Sequence, residues 1–140
     1  MMTTTDLCGL SVDGPHTEDT IRAAAAGIVT LVRYLNASTQ SPACESGPVV
    51  ASVLADLATA SRGLDQALVQ LARAAARLAN DPTLYDDRGS DHDTADTTET
   101  VADATAEARV RLAAVTSALR DAASEASHLG YTRSTSAEGE

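Results

Sequence analysis

The segment Leu84–Asp96, LYDDRGSDHDTAD, packs five aspartates and a histidine into thirteen residues. Oxygen-rich runs of this kind can ligate a hard divalent cation, which takes roughly six to eight carboxylate and carbonyl oxygens. A calcium loop also needs acids at alternate positions, a central glycine and a closing glutamate. Here Asp91 and Asp93 alternate, but Gly89 precedes them, and Glu99 falls inside the predicted next helix. The spacing therefore predicts a solvated, mobile connector, with Asp91 and Asp93 as weak metal candidates. A second constellation is Glu125-x-x-His128. Di-metal carboxylate bundles use that step twice and add two further glutamates. This chain has one copy, and its second helical segment offers only Asp56 and Asp65 as acids. Glu125 and His128 are thus expected as a surface pair near a helix C-terminus, where a cationic histidine is favoured. His16 has no partner in the sequence, and neither a Gly-x-Ser-x-Gly elbow nor a phosphate-binding glycine loop occurs. The expectation is no catalytic residue, no cofactor, no dedicated metal site and no enzymatic activity.

The composition agrees with that expectation. The chain of 140 residues carries ten Arg, no Lys and twenty acids, for a net charge of −10. A surface of that sign repels phosphate backbones, and three Tyr without Phe or Trp leave few stacking platforms for bases. Direct nucleic-acid binding is disfavoured. No apolar run is long enough to span a bilayer, and the start, MMTTTDLCGLSVDGPH, lacks the basic and apolar regions of a leader. Cys8 and Cys44 are too far apart in sequence for a CxxC metal pair, and two thiols in a reducing cytoplasm are expected rather than a disulfide.

The elements that position these residues are three helices. The first is predicted at about 18–37, with Thr17 as cap and Glu18 and Asp19 in the first turn. Pro42 and the Ser- and Gly-bearing stretch around it read as a linker. The second helix, about 48–79, has the apolar seam Val50, Leu54, Leu57, Ser61, Leu64, Leu68, Leu71, Ala75, Leu78. Its steps alternate four and three, the heptad pattern of coiled coils. Val53, Ala58, Ala60, Ala67, Ala72, Ala74 and Ala79 widen the apolar surface, so that only a narrow polar stripe remains, as expected for a helix contacted from two sides. The third helix, about 97–129, is predicted to be capped by Asp96 or Thr97 and stopped by Gly130. Its seam is Val101, Thr105, Ala108, Leu112, Val115, Leu119, Ala122, Ala126, Leu129. At Ser61 and Thr105, hydroxyls interrupt the seams; each can bond back to its own helix or set the register between helices.

The fold expected is all-α: an antiparallel three-helix bundle with heptad packing, one shorter and two long helices. Residues 1–16 are read as a flexible arm, 17–130 as the bundle with an acidic loop at 81–96, and 131–140 as a disordered tail. The first helix is ~20 Å shorter than the others at the standard rise, so it cannot cover all of the second. Leu71, Ala74, Ala75 and Leu78, with Val101, Ala104, Ala108 and Val110, are then expected to form an apolar patch that a second copy or another helical protein covers, unless the N-terminal arm with Leu7, Leu10 and Val12 folds over it. The function expected is a cytoplasmic protein-interaction or oligomerisation module with no membrane contact. Its rivals are a metal-binding or metal-storage bundle, and an acidic regulator of a basic protein.

Overall fold

The computed structural model describes residues 10–89 and 93–130. Within them the chain is all-α, with three helices and no strand: α1 (Glu18–Ser38), α2 (Gly47–Leu78) and α3 (Thr94–Ala126). A 3-10 turn, Pro42–Cys44, lies in the linker that the sequence suggested was plain loop. The chain divides into two compact units, residues 1–46 and 47–140.

In the first unit, α1 starts where its chemistry dictates. Thr17 takes an extended conformation, and its hydroxyl accepts the Thr20 backbone N–H at 3.2 Å. The Thr20 hydroxyl accepts the Thr17 N–H at 2.8 Å, which completes a reciprocal capping box. Glu18 and Asp19 place negative charge against the helix N-terminus, and Glu18 also pairs with Arg22 one turn on. The preceding turn needs Gly14, whose φ of +97° disfavours any side chain. Nothing in α1 is buried; Ile21, Ile28, Val29, Leu31 and Val32 are all exposed.

In the second unit, α2 and α3 pack extensively against each other. Three places fix the pairing. A Cβ built on Gly47 would lie 2.6 Å from both the Cβ and the carbonyl oxygen of Leu129, so the chain approaches there as only glycine allows. Arg109 Nε and Nη2 donate to Asp65 Oδ1 and Oδ2 at 2.8 and 3.3 Å. Leu78 and Val101 line one cleft at the other end. The buried residues among those described are small: Ala58 (2 % exposed), Ser61 (8 %) and Ala126 (7 %). Small side chains bring the two backbones close and replace large interlocking ones.

The contact face is rotated by about one residue from the expected seams. On α3 the covered positions beyond the first turn are Ala102, Thr105, Arg109, Leu112, Thr116, Leu119, Ala123 and Ala126. Thr105, Leu112, Leu119 and Ala126 belong to the expected seam, whereas Val101, Ala108, Val115 and Ala122 stay exposed. On α2 the covered line is Ala51, Leu54, Ala58, Ser61, Asp65, Leu68, Ala72 and Ala75, and Leu64 and Leu71 are exposed instead of buried. The covered lines hold two leucines per helix, Leu54 and Leu68 on α2 and Leu112 and Leu119 on α3, among small residues and the Asp65–Arg109 bridge, where the expected seams would have crowded in more leucines and valines. Ser61 and Thr105 settle into back-bonds, to the Leu57 carbonyl at 2.8 Å and the Val101 carbonyl at 2.6 Å.

Both ends of α3 differ from expectation. Its cap is Asp93, three residues earlier than Asp96; the Asp93 carboxylate accepts the Ala95 N–H at 2.8 Å. Asp96 then lies in the first turn, where the dipole favours it. At the other end α3 stops at Ala126, and turn bonds from Ser127, His128 and Leu129 tighten the exit before Gly130 is reached. Gly130 has no left-handed backbone, so it is not the expected stop.

Candidate functional site

The described residues of the acidic segment, most of them exposed, fold into a network of turns. Asp81 accepts the backbone N–H and hydroxyl of Thr83 at 2.9 and 2.7 Å, which starts the turn after α2. Asp86 is the centre. Its side chain is 4 % exposed and pairs with Arg88 through both oxygens. The Arg88 backbone N–H donates to Asp86 Oδ1 at 3.0 Å. From the first turn of α3, the Thr97 hydroxyl donates to Asp86 Oδ2 at 2.6 Å and accepts from Arg88 Nη2 at 2.7 Å. Asp86, Arg88 and Thr97 thus clamp the loop onto the start of α3. Arg88 first, and then the Thr97 hydroxyl, hold the Asp86 carboxyl far below the usual carboxylate range, against the smaller opposing effect of burial.

That clamp gives a pH expectation. The folded carboxyl is depressed relative to the unfolded chain, so the clamp contributes fully above the unfolded aspartate value of about 4. Its contribution is lost as pH falls below that point towards the folded value. Amide exchange in the first turn of α3 should therefore show extra opening only below about pH 4. Asp86→Asn should open the same turn at neutral pH and remove the acid dependence; an identical acid profile in that variant would refute the clamp.

The clamp borders a cleft of about 790 Å³, with Leu78, Leu84 and Val101 as apolar lining and Asp87, Asp93, Asp96 and Thr98 among its polar residues. Of the weak metal candidates, Asp91 lies outside the described residues, Asp93 is committed to capping α3, and Glu125 and His128 are exposed. The last two are joined through the backbone, the His128 N–H donating to the Glu125 carbonyl at 3.1 Å. Among the described residues no three His, Cys, Asp or Glu side chains converge as a metal site would require. Cys44 is half-exposed, and Cys8 lies outside the described residues.

The larger feature is apolar. Val50, Val53, Leu57, Ala60, Leu64, Ala67, Leu71, Ala74 and Leu78 form a second line on α2, again in steps of three and four, beside the line that meets α3. Its first three members and Ala74 are half-covered; Leu64 is 37 % exposed, Leu71 59 %, and Ala60, Ala67 and Leu78 are exposed. On α3, Val101, Ala104, Ala108, Val110 and Val115 are exposed as well. Of the patch expected from sequence, Leu71, Leu78, Val101, Ala104, Ala108 and Val110 are exposed, and Ala74 and Ala75 are half-covered. The second line takes Val50, Leu57, Leu64, Leu71 and Leu78 from the expected seam and Val53, Ala60, Ala67 and Ala74 from its flank, a division that the heptad spacing did not reveal. The Asp86–Arg88–Thr97 clamp was not foreseen; its signals are an Asp-x-Arg step and a threonine in the first turn of the next helix. Compared with known proteins, the chain matches no family model, no curated protein and no solved structure.

Proposed function

We propose that this protein is a non-enzymatic helical interaction or oligomerisation module. In this reading α2 and α3 run antiparallel with heptad packing, and α2 is a two-sided helix that offers its second apolar line to another helix. The observation that carries it is the exposure of Leu64, Leu71 and Leu78 on a helix whose neighbouring line is already occupied by α3. Contiguous exposed apolar surface of this kind marks protein interfaces in soluble chains, and a helix laid along an apolar line is a common recognition mode. The use of charged groups agrees: Asp86, Asp93, Asp65 and Arg109 are engaged in capping and pairing.

Photo-crosslinking tests the reading. A photoreactive residue at position 64 or 71 should crosslink to a polypeptide when the full chain is expressed at native level. The same residue at position 66 or 73, on the polar stripe, should not. Equal yields from both sets, or no adduct from either, would overturn the proposal.

A further inference from the structure

We infer that the occupant of the second apolar line on α2 is a second copy of this chain, with α2 packed antiparallel on α2 about a two-fold axis. The inference rests on the interaction-module reading and names its partner. The line alternates large and small side chains from Leu57 to Leu78: Leu57, Ala60, Leu64, Ala67, Leu71, Ala74, Leu78. A reversed copy that sets Leu64 over Ala67 of its twin also sets Leu57 over Ala74 and Leu71 over Ala60. Each of those layers then holds one large and one small residue, the fill that close helix packing requires.

Charge selects the same register. The solvent-side flank of the line carries Asp56, Gly63, Gln70 and Arg77. Asp56 and Arg77 are both exposed, and neither makes a side-chain hydrogen bond or ion pair within the described chain. They lie ~31 Å apart on one helix at 1.5 Å per residue, so they cannot pair with each other there. In the reversed copy, the register that fills the Leu–Ala layers sets Asp56 of one chain opposite Arg77 of the other, twice by symmetry. Length also favours a copy over α1, whose 21 residues fall short of a line running from Val50 to Leu78. The line is ~42 Å long and a helix ~10 Å wide, so α2 alone buries on the order of 400 Å² per copy. That is a weak, reversible contact by the usual interface sizes, and the dimer should form in the micromolar range.

Charge reversal on the full chain provides the test, read by sedimentation, with circular dichroism confirming the fold of each variant. Asp56→Arg alone and Arg77→Asp alone should each weaken self-association by roughly five- to thirtyfold, because two attractions become repulsions. The double variant Asp56→Arg/Arg77→Asp should regain it. An equimolar mixture of the two single variants should form the heterodimer, in which both pairs are restored. A wild-type monomer at high micromolar concentration would overturn the inference, as would a dimer indifferent to these exchanges. Crosslinks from position 64 to a different polypeptide would also overturn it and leave the interaction-module reading standing; crosslinks only to the chain's own α1, or none at all, would remove both.

Discussion

Ala58→Leu is expected to destabilise the α2–α3 pair by about 1–3 kcal/mol, the usual range for overpacking a tight interior. Ala58 is the least exposed core residue, and it lies on the line of α2 that meets α3. Three added carbons there must either push the backbones apart or force neighbours out of their rotamers. For a unit of this size the melting temperature should fall by about 5–20 °C. Ala60→Leu supplies the control. Ala60 lies two residues away on the exposed second line, so the same added carbons meet solvent. Thermal melts of the single chain at low concentration should separate the two variants clearly. A larger loss from Ala60→Leu would mean that α2 presents its other line to α3.

The second large effect is a contrast between two leucines three residues apart. Leu68→Asp should unfold the α2–α3 pair, because Leu68 faces α3 and the covered cation there, Arg109, is already engaged by Asp65 one turn away. Leu71→Asp should leave helical content and melting nearly unchanged, since Leu71 is 59 % exposed and surface substitutions usually fall within about 0.5 kcal/mol. The same variant should lose the association that the second line supports. Circular dichroism and sedimentation on both proteins decide the matter. Unfolding by Leu71→Asp, or a folded Leu68→Asp, would reverse the assignment of the two lines.

Helix count, type and approximate bounds were legible from local chemistry. Thr17 with its acidic first turn, and Pro42 in the linker, act within a few residues, so no tertiary information is needed to read them. The ends of α3 were less legible. Asp93 and Asp96 are both competent caps in sequence, and the clamp from Asp86 and Arg88 to Thr97 helps hold the start of the helix at the earlier one. That clamp joins residues eleven positions apart, further than a cap or a helical turn reaches, so the Asp-x-Arg step and Thr97 do not by themselves point to each other.

The face by which α2 meets α3 was decided by tertiary structure alone. Heptad steps fit two adjacent lines on α2 equally well, because both alternate by three and four. Side-chain hydrophobicity favoured the leucine-rich line, as buried area does when each helix is considered singly. Packing between two helices instead rewards close backbone approach, and Ala58, Ser61 and Ala126 permit it. Asp65 and Arg109 look like surface charges in sequence, and only the pairing of α2 with α3 makes them a bridge. The sequence by itself determined that α2 has more apolar surface than one neighbour can cover. Which part stays open depends on the distance between two backbones, and that distance is a property of the folded pair.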